Sequence, residues 1–311
     1  MTVKRKDLLT MRELTVGEIE SILDTASSME EIIYRDVKKL PTLKGTSIIN
    51  LFYEPSTRTR SSFELAGKYL SADTVNMNAD VSSIKKGETL IDTARTLEAM
   101  GVDLIVIRHP VGGAPGIIGN NIKARVLNAG DGCHEHPTQA LLDMYTIKKK
   151  FRSLEGLHVV ILGDVAHSRV ARSNIWGLKK MGAEITLCAP NTLLPAEIKK
   201  MGVNVTSSLD NSLQFADVIM ALRVQFERQD RSFFPSAREY AKYFGITKER
   251  LKKAKDEIVV MHPGPINRGV EISPDVYESE NAVIDEQVTG GVAIRMALLY
   301  LMGGDYHESE T

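Results

Sequence analysis

Apolar residues in this chain fall into short runs that alternate with helical spacings. The run Ser47-Ile48-Ile49-Asn50-Leu51-Phe52 is short and rich in β-branched residues, and Pro55 breaks it, which predicts a buried strand. From Thr57 the period changes. Phe63, Ala66, Gly67 and Leu70 lie on one helical face, and Ser56 occupies the N-cap position. Upstream, Leu14, Ile19, Ile22, Leu23 and Ala26 predict an amphipathic helix over 13–33, with Thr15 as its cap. Downstream, short strands are expected at 74–77, 104–107 and 125–127. A polar loop covers 80–88, and helices cover 89–100 and 137–150, the second opening on Pro137. The same alternation recurs later. Strands are expected at 157–162, 184–189, 203–206, 217–222 and 258–261, with a helix after the segment 163–173. The last helix, 290–302, is apolar nearly all round and is expected to be buried.

Strands alternating with helices mark an α/β chain whose parallel sheets are covered on both faces. A length of 311 residues suggests two domains. The expectation is therefore two doubly wound parallel-sheet domains, over 1–149 and 150–287. In such sheets ligands bind beyond the carboxyl ends of the strands. The turn at 53–59, Arg108 and His136 each follow a strand end, so three separate segments point to one crevice.

Composition narrows the class. Lys+Arg total 39 against Asp+Glu 40, a net charge of -1, which argues against a nucleic-acid binder. Cys133 and Cys188 are too few for a disulfide framework, so a reducing compartment is expected. The first twelve residues lack the apolar core of a signal peptide, and no apolar run approaches the roughly 20 residues of a membrane span. The expectation is a soluble, cytoplasmic chain with no membrane contact.

Candidate chemistry begins at Ser56-Thr57-Arg58-Thr59-Arg60. Backbone N–H groups in the first turn of a helix have no helical partner, and the helix dipole adds positive charge there. Hydroxyls and arginines crowded into that turn suit an anion, phosphate best of all. Ser-Thr-Arg alone favours a capped surface helix with solvated arginines; the full string after a buried strand reverses that and favours a phosphate site. It is neither a Walker loop nor a dinucleotide fingerprint, since the glycines are missing. Cys133-His134-Glu135-His136 invites a metal, but the ligands are few and no second cluster completes a four-coordinate site; the other role for His136 is a hydrogen bond to a polarised carbonyl. Arg223, after the strand at 217–222, suits a carboxylate ligand or an ion pair with Glu227 or Asp230. The loop at 85–88 reads, by itself, as solvated lysines.

These motifs together resemble the aspartate/ornithine carbamoyltransferase family. Ser56-Thr57-Arg58-Thr59-Arg60, Lys85-Lys86-Gly87-Glu88, Arg108-His109-Pro110, His136-Pro137-Thr138-Gln139, Ser168-Arg169-Val170-Ala171-Arg172-Ser173, the Arg223-Val224-Gln225 segment and His262-Pro263-Gly264-Pro265 occur in family order over essentially the whole chain. Arg223 and the His-Pro-Gly-Pro loop place it nearer the aspartate-using branch. Arg268 is assigned no role, because Ile266 and Asn267 separate it from Pro265.

The resemblance implies transfer of a carbamoyl group from carbamoyl phosphate to L-aspartate, giving N-carbamoyl-L-aspartate and phosphate, early in pyrimidine (UMP) biosynthesis. It implies an active site in the cleft between the two domains, with the helix at 288–311 packed back on the first. Ser56, Thr57, Arg58 and Thr59, with Ser82 and Lys86, would hold phosphate. Thr59, Arg108 and His136 would bind the carbonyl oxygen; Gln139, Gly264 and Pro265 would orient the carbamoyl amide. Arg169, Arg223, Gln225 and Lys86 would hold aspartate. Arg58, Thr59, Lys86, Arg108 and His136 form the catalytic set. Glu54 and Arg228 are candidates for ion pairs formed on domain closure. Neither metal nor organic cofactor is implied. Ser82 and Lys86 would reach a neighbouring subunit's site in a homotrimer, with regulatory chains or a dihydroorotase as open partners. The competing readings are another amine acceptor, such as ornithine, and a silent anion-binding scaffold.

Overall fold

A computed structural model describes residues 5–78, 87–224 and 236–303. The elements run in chain order as α1 (Val16–Ile33), β1 (Ser47–Phe52), α2 (Thr57–Tyr69), β2 (Asp73–Asn78), α3 (Leu90–Ala99), β3 (Leu104–His109), α4 (Ala114–Gly119), β4 (Arg125–Asp131) and α5 (Pro137–Phe151). They continue as β5 (His158–Leu162), α6 (Arg169–Lys180), β6 (Glu184–Cys188), β7 (Asn204–Thr206), α7 (Leu209–Leu213), β8 (Val218–Ala221), α8 (Ala237–Phe244), α9 (Lys248–Leu251), β9 (Val259–Met261), α10 (Pro274–Tyr277) and α11 (Ile284–Gly303). The chain divides into two compact units, Met1–Tyr145 with Val288–Thr311, and Thr146–Gln287.

The first unit is built on a four-stranded parallel sheet in the order β2-β1-β3-β4. Alternation along its strands puts Ile49, Leu51, Ile105, Ile107 and Val126 in one core with Ala94 and Leu97 of α3 and Ile118 of α4. α2 approaches the sheet closely at Gly67, where a Cβ would run into Thr74 Oγ1. Glycine is what lets the helix backbone sit that near β2. Phe63 of α2 is fully buried, worth about 1.5–3 kcal/mol.

The second unit carries a five-stranded parallel sheet, ordered β7-β6-β5-β8-β9. Val159 to Leu162 of β5 and Val218 to Ala221 of β8 are buried, as central parallel strands are. Two doubly wound parallel sheets are the architecture that the alternating pattern predicts.

The differences from the expected elements have identifiable causes. α1 starts at Val16 rather than 13, because Thr15 caps it through a complete capping box with Glu18. β4 runs on to Asp131, since its polar end is hydrogen-bonded inside the protein: Asn128 Nδ2 donates to Leu9 O at 2.8 Å and to Asp131 Oδ1 at 2.9 Å. α11 begins at Ile284, six residues before the expected start, and carries Gly290 and Gly291 in its interior. α4, α7, α8, α9 and α10 went unread: they are short, and glycine and proline obscure α4.

Candidate active site

In each sheet the strand order reverses once, and that is where a crevice opens at the strands' carboxyl ends. In the first unit the reversal lies between β1 and β3. Phe52 is in register with Arg108, and Tyr53 N donates to Arg108 O at 2.9 Å. The turn after β1 and the cation ending β3 are therefore neighbours by construction.

Ser56 is the N-cap of α2 in position, with extended backbone, but its side chain makes no capping bond. Its hydroxyl instead accepts from Arg108 Nη1 at 3.2 Å. Arg108 Nε donates to Glu54 Oε2 at 3.1 Å, with both side chains largely buried. Glu54 thus fixes the plane of Arg108 within the first unit, an arrangement the sequence did not disclose. Thr57 and Arg58 sit exposed in the first turn and Thr59 is buried behind them.

His136 and Gln139 enter from the next strand's end. Both are buried, flanking Pro137 at the first position of α5. Gln139 Nε2 donates to Asp143 Oδ1 at 3.0 Å, one helical turn on, and Asp143 is fully buried. Arg295 of α11 is buried in the same unit, with its guanidinium 5.2 Å from the Phe63 ring and Nη1 donating to Gly291 O at 2.9 Å. Burial, with the nearby Arg108 charge, pushes the Arg295 pKa down to about 9, and Asp143 opposes the shift. Arg295 therefore stays charged at neutral pH. A Cβ at Gly291 would lie 2.7 Å from Arg295 Nη1, so glycine there makes room for the folded-back side chain. The spacing of Gln139 and Asp143 on one helix face could have exposed their pairing; nothing in the sequence ties Arg295 to them.

The neighbouring Cys133-His134-Glu135 stretch has structural partners. His134 Nδ1 lies 2.9 Å from Asp131 Oδ2, and Glu135 Oε2 accepts from Met11 N at 2.9 Å. Among the described residues no three His, Cys, Asp or Glu side chains gather as a metal-holding group. His109 packs on Tyr53 with ring centroids 4.6 Å apart, and burial lowers its pKa.

In the second unit the reversal lies between β5 and β8. Leu222 N donates to Leu162 O at 2.7 Å, carrying that pairing to the strand ends. Arg169 is the buried first residue of α6, capped by Ser168, whose hydroxyl accepts from Ala171 N at 3.1 Å. Arg223 follows β8 and is partly exposed. Asp164, after β5, is buried and holds His167 through Nδ1 at 2.9 Å.

The loop after β9 carries Gly264 and Pro265, joined by a cis peptide, with Gly264 at φ +64°. Beneath it lies Glu271, fully buried. Burial pushes its carboxyl above the ordinary value, against the pull of N–H donors from Val224 and Asn267. Arg268 has no place in this cluster; it stacks on Tyr277 at 4.2 Å and stands 3.8 Å from Glu278. Ser82, Lys86, Gln225 and Arg228 lie outside the described residues.

The arrangement amounts to an anion-binding helix start beside a clamped arginine in one unit, and arginines at the equivalent switch point in the other. Residues 6–149 match the family model described as aspartate/ornithine carbamoyltransferase, carbamoyl-P binding domain. Residues 155–302 match its companion, the Asp/Orn binding domain of the same enzymes. The chain belongs to the aspartate/ornithine carbamoyltransferase family.

Within that family the chain is 61% identical over 304 residues to the aspartate carbamoyltransferase catalytic subunit of Heliobacterium modesticaldum, covering 98% of this chain and 97% of that one. It is 59% identical over 305 residues to the same subunit of Natranaerobius thermophilus, covering 98% and 97%. Among solved structures it resembles the Trypanosoma cruzi aspartate transcarbamoylase crystallised with carbamoyl aspartate and phosphate, at 34% identity, a TM-score of 0.85 and 95% coverage of both chains. It resembles the ornithine carbamoyltransferase of Pyrococcus furiosus as closely in backbone, with a TM-score of 0.86 and 30% identity over 98% of this chain and 99% of that one. Backbone likeness thus spans both branches of the family.

Proposed function

We propose that the chain is an aspartate carbamoyltransferase catalytic chain, moving the carbamoyl group of carbamoyl phosphate to the amine of L-aspartate in pyrimidine biosynthesis. The observation that carries this reading is identity near 60% over nearly the whole chain to relatives named for that activity. The geometry at the two switch points supports it. Both substrates are anions, and cations or helix starts stand at both.

Attack by the amine builds charge on the carbonyl oxygen and on the leaving phosphate, so preorganised donors are what the chemistry demands. Ser56, Thr57, Arg58 and Thr59 receive the phosphate at the start of α2. Arg108, its plane set by Glu54 and Ser56, and the buried His136 donate to the carbonyl oxygen. Gln139, held by Asp143, orients the carbamoyl amide together with Gly264 and Pro265. Arg169, Arg223 and Gln225 take the two carboxylates of aspartate, the guanidinium fork matching each one. Ser82 and Lys86 come from a neighbouring subunit of a cytoplasmic homotrimer. The departing phosphate accepts the amine proton. Among the described residues no helix is long and apolar enough to cross a membrane.

Release of ureido product from carbamoyl phosphate, with L-aspartate and with L-ornithine in parallel, tests the reading. Turnover with aspartate alone is expected. Turnover with ornithine alone would retain the phosphate site and reverse the acceptor assignment; silence with both would favour the scaffold. Light scattering on the same preparation should give about three chain masses, and a monomer would remove the shared-site reading.

A further inference from the structure

The strand end that carries Arg223 is held by a buried carboxylate from elsewhere in the second unit. Val224 N donates to Glu271 Oε1 at 2.9 Å, and Val224 O accepts from Asn267 Nδ2 at 3.1 Å. Asn267 in turn donates to Glu271 twice, from its backbone N to Oε2 and from Nδ2 to Oε1, both at 2.7 Å. Both polar groups of Val224 are therefore clamped by one Glu–Asn pair. On the other side of Arg223, Leu222 N is fixed to Leu162 O. Arg223 thus hangs between two anchored residues.

The same carboxylate faces the loop after β9. His262 is buried, its Nδ1 accepts from Gly264 N at 2.8 Å, and its Nε2 lies 3.9 Å from Glu271 Oε2. With Nδ1 acting as acceptor, the neutral ring carries its proton on Nε2, the atom turned toward Glu271. His262 N also donates to Gln287 Oε1 at 2.9 Å.

We infer that Glu271 is a positioning residue for the acceptor, fixing the Arg223 segment and the Gly264–Pro265 loop in one register so that the amine-bearing substrate meets a preset site. A carboxylate is needed because both oxygens accept N–H donors. Glutamine offers one acceptor oxygen, so either orientation turns an NH2 toward an N–H. Displacing a substrate-holding group by about 1 Å is enough to slow transfer. This inference rests on aspartate being the acceptor.

The test compares wild type with Glu271→Gln, Glu271→Ala and Asn267→Ala as full chains. Aspartate KM should rise about tenfold or more in both Glu271 variants. A smaller rise is expected in Asn267→Ala, which keeps its backbone donor. The affinity for inorganic phosphate, measured calorimetrically, should stay within about twofold, since the phosphate turn belongs to the other unit. An unmoved aspartate KM, or aspartate and phosphate affinities falling together, overturns the inference. Should Glu271→Ala fail to fold, Glu271→Gln and Asn267→Ala decide it by the same readouts. Wild type without ureido aspartate would instead remove the functional reading on which the inference rests.

Discussion

In the first unit most of the groups proposed to hold phosphate occupy one short stretch. Ser56, Thr57, Arg58 and Thr59 share a single helix start, and Arg108 reaches them because β3 is hydrogen-bonded to β1. In the second unit Arg169 and Arg223 follow separate strand ends, and the segment carrying Arg223 is tethered by Glu271, which is distant from both in sequence. On the proposed reading, the phosphate half is thus written locally, and the acceptor half is assembled from distant pieces. Phosphate is a feature every carbamoyltransferase must bind, whereas the acceptor differs between branches. A locally encoded turn resists change, while loops tied by a few buried side chains can be re-aimed.

The largest effects should come from cutting each half at its cation. Arg108→Ala removes a donor from the developing oxyanion and should lower kcat by about 10²–10³-fold. It also removes the Arg108 donor from the largely buried Glu54, so the melting temperature should fall as well. Arg223→Ala should instead raise aspartate KM steeply and leave phosphate affinity unchanged. Steady-state kinetics with calorimetric phosphate binding separates the two outcomes. Equal losses of both affinities in either variant would break the comparison.

A second experiment probes the buried charges beneath the first half. Asp143→Leu leaves the Arg295 guanidinium in the interior with less compensation and the buried Gln139 without this acceptor, and should cost about 1–3 kcal/mol in urea unfolding. Adding Arg295→Met should restore most of that stability but not the activity, because Gln139 would still lack its Asp143 acceptor. Restored activity would remove the orienting role given to Asp143.

The smallest effect lies at the edge of the first unit. Arg5 Nε donates to Glu18 at 2.8 Å, and that bond, more than any other contact, holds the Glu18 carboxyl down at about 2. A depressed carboxyl stabilises the fold above its unfolded value, and the contribution fades as pH falls from about 4.5 toward the folded value. Glu18→Gln should therefore flatten part of the acid limb of a melting-temperature profile. The pair is partly solvated, so salt should shrink the difference. An identical acid limb in the variant would show the pair to be inert.

Much of this was legible in the residues. The strand-turn-helix at 47–69, the alternating order and Pro137 at a helix start all follow from local propensity and period. Ser56 was readable as a cap by position, yet its hydroxyl serves Arg108, because a neighbouring strand end brings a stronger donor. The Gln139–Asp143 pairing was open to reading from its helical spacing, but Arg295 beside it and the hold of Asn267 and Glu271 on Val224 were not legible. Their partners are set by tertiary packing, and a buried polar residue looks in sequence like a solvated one. α11 extends six residues ahead of the apolar segment that predicts it, and Gly291 within it admits the Arg295 side chain.

The segment ahead of α1 carries a consequence for handling the protein. Leu8 pairs in parallel with Leu127 on the open side of β4, Asp7 accepts from Val126 N at 2.8 Å, and Lys6 Nζ reaches Gly119 O and Ile122 O, each at 2.7 Å. These few residues act as a stopper on a sheet edge that would otherwise recruit strands from other molecules. Trimming them, or crowding them with a rigid fusion partner, would expose that edge and favour aggregation.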